Sequence, residues 1–233
     1  MKKLVLLLMC SLLITGLFAQ SDSTKKFKSK AKVLFSINSD MWLNAANNID
    51  VKPISLGAEL FSVSKKYFGK SPVGIMYGLG ITSHNINYNM FLSNDIFNRT
   101  VFTEIPDSLK MKKNKLSVTY LDIPLEIFFS PKKGKSINIS AGMKAGYLIN
   151  SHTKYKGKNP DGSGNNLKTK TANIKNIEPF RYGITGRIGY GNISISCYYS
   201  LSSLFKENKT TDVNQQILKE YIPFTIGITF LFL

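Results

Sequence analysis

Apolar and polar residues alternate along most of the chain, in about eight segments that charged or turn-forming stretches separate. Alternation with a period of two is typical of a β-strand with one apolar and one polar face. The pattern predicts strands over residues 31–39, 53–64, 72–88, 115–129, 136–150, 179–190, 193–203 and 221–232. The chain is therefore predicted to be all-β.

The fifth and the last segments favour a membrane barrel. Over residues 136–150 small or polar residues alternate with apolar ones without a break. This segment is much longer than an average strand of about five or six residues, but it suits a tilted strand that crosses a bilayer. The last segment keeps apolar residues at alternate positions up to Leu233. An exposed apolar edge promotes aggregation in water, whereas the last strand of a closed barrel pairs with the first.

The connections alternate between short and long. Those after the second, fourth and sixth predicted strands are short, and the last of them is Gly191-Asn192, which suits a primed hairpin turn. In outer-membrane barrels short turns face the periplasm and long loops face outside. The pattern therefore predicts an eight-stranded antiparallel up-and-down transmembrane β-barrel. Its long loops are expected at about residues 40–52, 89–114, 151–178 and 204–220.

Two other architectures are open at this point. Residues 95–104 also have a β-forming sequence, which we interpret as a hairpin within a loop. If they belonged to the wall, the barrel would have ten strands. A soluble β-sandwich also has many short strands, but it does not explain the long alternation over residues 136–150.

The first residues are typical of a cleaved secretory signal peptide. Lys2 and Lys3 precede an apolar run that ends at Ala19, and polar residues follow it. The run is shorter than the roughly 20 residues that a spanning helix needs. We expect a signal peptide over residues 1–19, a basic periplasmic segment over residues 20–30 and the barrel over residues 31–233.

Composition changes this picture mainly through charge. The net charge is +17, yet the lysines are spread over the N-terminal segment, short turns and a loop at residues 154–175. They do not form the compact basic and aromatic motif of a nucleic-acid-binding domain, so no nucleic acid is expected as a partner. For an exported barrel we expect contacts with outer-membrane lipids, including lipopolysaccharide phosphates, or with an envelope protein partner. The alternative is that the lysines are solvated charge that only keeps the turns soluble.

Cysteine and histidine usage does not suggest a metal or a cofactor. After cleavage of the signal peptide Cys197 is the only cysteine, which leaves no disulfide framework and no thiolate cluster. Two histidines without a paired carboxylate motif do not form a recognisable metal site. We expect neither a cofactor nor a metal.

Placing the polar faces inward puts ionisable residues in the lumen. Three acids and three bases can neutralise one another, and unpaired charges in a narrow interior would be costly. An eight-stranded barrel is also just filled by its own side chains, so a wide pore is not expected. The predicted lumen salt-bridge network, to which we assign a structural role, consists of Glu59, Asp122, Glu126, Lys144, Arg181 and Arg187.

Aromatic residues lie near both ends of the predicted strands. Amphipathic rings favour the interface between lipid and water, so two lipid-facing girdles are expected. The girdle at the loop side would contain Trp42, Tyr88 and Tyr221, and the girdle at the turn side would contain Tyr67, Phe68, Phe128, Phe129, Tyr190 and Phe232.

The fourth predicted strand contains the sequence Tyr120-Leu121-Asp122-Ile123-Pro124-Leu125. This sequence resembles the signature of the PorT-like outer-membrane β-barrel family. The resemblance implies an OmpX/OmpA-like eight-stranded barrel in a Gram-negative outer membrane. The family includes an accessory factor of protein secretion and many members without an assigned function.

The same strand changes phase near Tyr120. Apolar residues occupy even positions up to Tyr120 and odd positions from Leu121 onwards. A bulge near Tyr120, or a strand that leaves the membrane there, would reconcile the two phases. Pro124 removes a hydrogen-bond donor and is expected to lie at a local irregularity.

These features predict a non-enzymatic outer-membrane protein with a structural or interaction role, such as an accessory to secretion. A narrow passive pore is one alternative. A lipid-modifying enzyme is another, for which the residues to consider are Ser83, Ser93, His84, Ser151 and His152. Neither histidine has the spacing of a known catalytic triad, so no catalytic residue is predicted.

Overall fold

The computed structural model describes residues 31–43, 50–52, 55–131, 136–160, 163–212 and 221–232. The expected signal peptide (1–19) and basic segment (20–30) lie outside the described residues. The one helical element described is a 3₁₀ turn at Asp107–Leu109. The strands are β1 (Lys32–Leu43), β2 (Leu56–Tyr67), β3 (Val73–Asn87), β4 (Met90–Asn94), β5 (Thr100–Glu104), β6 (Lys113–Phe129), β7 (Ile137–Lys158), β8 (Asn166–Ala172), β9 (Phe180–Tyr190), β10 (Ile193–Ser200), β11 (Thr210–Asp212) and β12 (Ile222–Phe232).

Eight of these strands form a closed antiparallel ring. Each wall strand pairs with the next wall strand along the chain, and β1 pairs with β12 to close the barrel. The wall consists of β1, β2, β3, β6, β7, β9, β10 and β12, whereas β4, β5, β8 and β11 belong to the connections. The predicted eight-stranded up-and-down barrel is confirmed, and the ten-stranded barrel and the sandwich are excluded.

The connections have the predicted alternation in length. Short turns join β2 to β3, β6 to β7 and β9 to β10 at one end of the barrel, which we call the turn end. In the last of these turns Gly191 has a φ of 60°, as the first central position of a type II′ turn requires. The longer connections lie at the opposite end, the loop end, which faces outside in outer-membrane barrels.

The loop end contains more regular structure than the sequence predicts. Residues 151–158, expected in a loop, continue β7, which pairs with β8 to form a long hairpin. The predicted loop hairpin is present as β4 and β5, and β11 pairs with β5 in parallel. β1 also continues past its predicted end to Leu43, so Asp40 belongs to the wall.

The outer surface of the ring is apolar. Its side chains include Leu60, Ile123, Leu125, Tyr182 and Ile188, each of which is more than half exposed. A soluble monomer rarely exposes so much contiguous apolar surface, whereas in a bilayer these side chains contact hydrocarbon. No helix among the described residues is long and apolar enough to span a membrane.

β6 keeps a single phase along its whole length. Its even-numbered residues face inward from Asn114 to Phe128. These inward residues are apolar from Leu116 to Tyr120, and acids follow from Asp122 onwards. The change of phase inferred from the sequence is therefore a change in the interior, from apolar near the loop end to charged nearer the turn end.

The predicted bulge near Tyr120 is present, but its extra residue belongs to β7. Thr119 lies opposite Asn150 and Tyr120 lies opposite Leu148, so Ile149 has no partner in this register. The bulge reverses the phase of β7. Odd-numbered residues face outward up to Ile149, and even-numbered residues face outward from Asn150 onwards.

Pro124 interrupts the pairing of β3 with β6. The pairing is present on either side, where Tyr77 lies opposite Leu125 and Gly80 lies opposite Asp122. Proline has no backbone N–H to donate, so the gap is the expected consequence of its position in a wall strand.

An apolar cluster fills the interior near the loop end. It joins inward side chains of β1, β3 and β6 to side chains of the loop hairpin and the long connections. We call it the outer cluster, and its residues are Trp42, Ile86, Tyr88, Met90, Phe102, Leu116, Val118, Tyr120, Ile177, Leu204, Phe205 and Tyr221.

The predicted aromatic girdle at the loop end is wrong. Trp42, Tyr88 and Tyr221 are at most 6% exposed, because the connections fold over them and make them part of a core. At the turn end most of the predicted rings do face outward. Those that are exposed are Phe68, Phe129, Tyr190 and Phe232, whereas Phe128 is buried in the lumen and Tyr67 faces inward and packs against it.

Candidate functional site

Two cations of the wall are paired with acids across the lumen. The Lys144 Nζ of β7 donates to the Glu59 Oε1 of β2 over 2.5 Å. The Arg187 guanidinium of β9 pairs with Glu126 of β6, whose other carboxylate oxygen accepts a 2.7 Å hydrogen bond from Ser140. All four charged side chains are buried. Each pair therefore compensates charges whose burial alone would be costly.

A third cation, Arg181, belongs to a longer hydrogen-bonded chain. Arg181 donates to both carboxylate oxygens of Asp122 over 2.5 and 3.1 Å, and Thr82 donates to the same carboxylate over 2.5 Å. The Arg181 Nη1 also donates to the His84 Nε2. On the other side of the ring the His84 Nδ1 lies 2.7 Å from the Asp40 Oδ1. Because Nε2 accepts from a guanidinium, Nδ1 carries the proton and donates to Asp40.

Asp40 and His84 also belong to this charged interior, but neither is part of the predicted salt-bridge network, and His84 is predicted only as a candidate for an enzyme. The sequence places Asp40 in a loop and gives His84 no partner, whereas both are at most 3% exposed inside the barrel. Their parity was the available signal, since His84 shares its face of β3 with Thr82. We call the complete set the lumen network: Asp40, Glu59, His84, Asp122, Glu126, Lys144, Arg181 and Arg187.

Glycines make room for two acids of the lumen network. A Cβ atom at Gly146 would lie 1.8 Å from the Asp122 Oδ1, and one at Gly57 would lie 2.3 Å from the Asp40 Oδ2. Any larger residue at either position would have to displace a buried carboxylate. The two glycines therefore leave the space that the carboxylates of Asp122 and Asp40 occupy.

Aromatic rings cover the cations of the network. The guanidinium carbon of Arg181 lies 4.0 Å from the ring centre of Tyr120, and the Lys144 Nζ lies 4.3 Å from that of Tyr198. Tyr120 and Asp122 thus hold Arg181 from two directions. In the Tyr120–Leu125 motif these two residues face the lumen, while Leu121, Ile123 and Leu125 face outward.

The residues considered for an enzyme are not brought together. His84 has both ring nitrogens engaged in the lumen, whereas its neighbour Ser83 faces the other side of β3. Ser93 lies in β4 of the loop hairpin, and His152 lies on the extended part of β7. In the described part of the chain no group of three or more His, Cys, Asp or Glu side chains is placed to hold a metal ion.

A strongly charged surface lies outside the lumen, on the part of β6, β7 and β8 beyond the apolar band. Lys115, Lys154 and Lys170 lie directly opposite one another across the three strands. Two residues further from the barrel, Lys113, Lys156 and Lys168 form a second row of the same kind. We call these six residues the lysine rows. They share the outward face of the hairpin, and the inward face there carries Asn114 and Tyr155.

The lysine rows affect the titration of neighbouring groups. Burial, together with Lys170, Lys115 and Lys154, lowers the pKa of His152 below its usual value of 6.5. Burial and the charges of Lys113, Lys154 and Lys170 lower the pKa of Lys115. Burial is the larger cause of both shifts, and the contribution of the neighbouring lysines reflects a locally positive potential, in which a bound anion is favoured.

Two solved structures similar to this chain are both of Ail, the attachment invasion locus protein of Yersinia pestis. Ail in complex with the heparin analogue sucrose octasulfate is 11% identical with a TM-score of 0.36, and the match covers 87% of this chain and 97% of Ail. The backbone structure of Ail in a phospholipid bilayer nanodisc is 12% identical with a TM-score of 0.34, and the match covers 87% and 100%. No curated protein sequence matches the chain.

A family comparison is more informative. The sequence pattern of the family described as outer membrane protein beta-barrel domain matches residues 18–206. This segment is most of the chain and includes all the wall strands except β12. The closed eight-stranded ring, its apolar exterior and its charged interior agree with that match. The chain belongs to the outer membrane protein beta-barrel domain family and is a protein of the outer membrane.

Proposed function

We propose that this protein is a non-enzymatic interaction protein of the outer membrane, and that its lysine rows bind the phosphate groups of lipopolysaccharide. The observation that carries the proposal is the direct juxtaposition of three lysines in each of two rows. Like charges placed opposite each other on a sheet are destabilising. An anion that lies across a row would offset this repulsion, and neither row contains an acid to do so.

The position of the rows supports a lipid ligand. On β7 the last outward apolar residues are Tyr147 and Ile149, and Lys154 and Lys156 follow on the outward face. The rows therefore lie just beyond the apolar band and face away from the barrel axis, toward the head groups of the surrounding lipids. Clustered lysines at this level attract anionic head groups with about 1 kcal/mol per residue.

Protection of a sheet edge is a competing explanation for lysines on β8. Lysine on an edge strand prevents pairing with other chains, and β8 pairs only with β7. However, Lys115, Lys154 and Lys156 are paired with a neighbouring strand on both sides. Edge protection accounts for Lys113, Lys168 and Lys170 but gives no reason for the other three.

The filled interior favours interaction over transport. The lumen network joins opposite parts of the wall, and the outer cluster covers the loop end. Among the described residues the cavities that involve the lumen measure only about 10–30 Å³. We therefore propose that the barrel does not conduct. The finer assignment to the PorT-like family, with a role as an accessory to secretion, rests on the Tyr120–Leu125 motif alone.

The test compares two triple variants of the barrel in nanodiscs that contain lipopolysaccharide. Replacing Lys154, Lys156 and Lys170 by Gln is expected to weaken retention of lipopolysaccharide about tenfold to a hundredfold. The control replaces Lys110, Lys206 and Lys209 by Gln, which removes the same charge from other positions of the loop end. The measurement is the amount of lipopolysaccharide that stays bound after detergent extraction at increasing salt.

A second arm uses dephosphorylated lipopolysaccharide. If the phosphates are the ligand, the parent protein retains this form as weakly as the lysine-row variant retains the natural one. Equal losses in the two triple variants, or full retention of the dephosphorylated form, would disprove the proposal. Planar-bilayer recordings of the parent protein should show no channel, and steady conductance would support the pore alternative.

A further inference from the structure

A cavity with a basic lining lies at the turn end of the lumen, and the lysine rows lie at the other end of the barrel. Its volume is about 30 Å³, and Gly191 and Asn192 of the last short turn form part of its wall. It is therefore reached from the periplasmic side. Its polar lining includes Lys65, Asn138, Ser140, Arg187 and Ser194.

Lys65 provides a cation that no acid neutralises in a pair. It shares the inward face of β2 with Glu59, but among the described residues it takes part in no ion pair. Its Nζ lies 5.0 Å from the ring centre of Phe128. An ammonium group over one ring keeps hydrogen-bond donors available for a ligand.

Arg187 provides a second, partly unsatisfied cation. It is only 7% exposed and pairs with Glu126 through Nη1, but its buried Nε has no hydrogen-bond partner in the described structure. Glu126 in turn receives hydrogen bonds from Arg187 and Ser140. Both carboxylate oxygens of Glu126 are thus engaged, and among the described residues the buried N–H donor of Arg187 is left without a partner, at a free-energy cost that a ligand would remove.

We propose that this cavity is a binding site for a phosphate oxyanion, held by Lys65 and Arg187 with the Ser194 hydroxyl as an additional donor. The cavity has room for about two or three water-sized atoms, which suits the terminal oxygens of a phosphate group. Water would fill the same space but would leave Lys65, which takes part in no ion pair among the described residues, without an anion. The phosphate belongs either to a free periplasmic anion or to a lipid head group at the inner rim of the barrel.

The test is a titration of the refolded barrel in octyl glucoside, a detergent without phosphate. Sodium phosphate replaces sodium chloride at constant ionic strength, and amide chemical shifts of Gly191, Asn192 and Ser194 are followed by NMR. We expect saturable shifts at millimolar phosphate. The variant Lys65→Met should weaken this binding about tenfold, whereas Lys65→Arg should retain it.

Lys66→Met is the matched control, because Lys66 is the next residue of β2 and is exposed on the outward face. Phosphate shifts that are absent from the parent, or unchanged in Lys65→Met, would overturn the site. Repeating the titration in phosphatidylcholine nanodiscs identifies the source. If added phosphate still shifts the amide signals in the nanodiscs, the ligand is a free anion. If the signals are already fully shifted without added phosphate, and Lys65→Met reverses the shift, the ligand is the lipid head group.

Discussion

The lumen network and part of the outer cluster lie on the same inward faces of β1, β3 and β6, yet they have opposite compositions. On β6 the inward residues Asp122 and Glu126 are charged, whereas Leu116 and Val118, nearer the loop end, belong to the apolar cluster. The outward faces have the reverse arrangement, with apolar residues at the level of the lumen network and lysines at the level of the outer cluster. Leu121 and Ile123 lie at the level of the network, and Lys113 and Lys115 lie at the level of the cluster.

The comparison shows that the placement of polar and apolar side chains on one strand changes with the surroundings, from lipid to water. Where hydrocarbon surrounds the barrel, polar side chains are placed inside and apolar ones outside. Where water and head groups surround it, the arrangement of a soluble protein returns, with an apolar core and charged surface. The interior of the barrel is therefore held together by ion pairs in one region and by packing in the other, and the two should respond differently to mutation.

The largest effect is expected in the lumen network. Arg181→Met would leave Asp122 buried without its cation and should lower the free energy of unfolding by about 3–5 kcal/mol. Urea unfolding of the barrel refolded in detergent micelles measures this change. The double variant Asp122→Asn with Arg181→Met should recover part of the loss, because Asp122 then carries no buried charge and only Asp40 is left with His84 as its partner. A double variant as unstable as the single one would show that packing, and not charge, dominates here.

A smaller and more local effect is expected in the outer cluster. Phe205 is 2% exposed and its ring centre lies within 5.7 Å of those of Phe102 and Tyr221. Phe205→Ala should destabilise the closed loop end by about 3 kcal/mol and increase protease cleavage of the loops about a hundredfold, while the urea midpoint of the barrel changes little. Phe97→Ala, at an exposed ring of the loop hairpin, is the control. If both variants are cleaved like the parent, the cluster does not hold the loops closed.

The smallest effect concerns pH and the lysine rows. Because the pKa of His152 is lowered in the folded protein, the unfolded chain binds more protons as the pH falls below 6.5, and the β7–β8 hairpin should lose stability in that range. Above 6.5 the imidazole is neutral in both states and contributes no change. Carbon-detected NMR titration should give a midpoint below 6.5 for His152, and Lys170→Gln should move it upward. An unchanged midpoint in Lys170→Gln would show that the lysine rows do not lower the pKa of His152.

Most of the wall was predictable from the sequence because lipid imposes a strict period of two. The alternation over residues 136–150 gives β7 its inward Lys144 and its outward apolar face, and the lengths of the connections give the order of the ring. A bulge is present near Tyr120, but the changed pattern of β6 there reflects the composition of the interior and not the bulge. Its assignment to β7 required the register, which alternation does not define.

The partners within the lumen were not predictable. Alternation assigns Glu59 and Lys144 to the inward face, but their pairing depends on the tilt and register of strands that are far apart in the sequence. Asp40 was missed because the apolar pattern of β1 weakens toward the loop end. Trp42 was placed in a girdle because a ring at a strand end looks the same in sequence whether lipid or a loop covers it.

Because Ile149 is unpaired, the inward and outward faces of the β7–β8 hairpin have the opposite residue parity to the faces of the wall part of β7. Deleting this one residue would exchange the two faces of everything that follows on β7, so that Tyr155 would turn toward the lipids and Lys154 toward the interior. Insertions of two residues would preserve the faces, whereas insertions of one would not. The β7–β8 hairpin can therefore be exchanged between barrels of this kind only if its inward positions stay inward. A comparison of loop lengths alone would not reveal this rule.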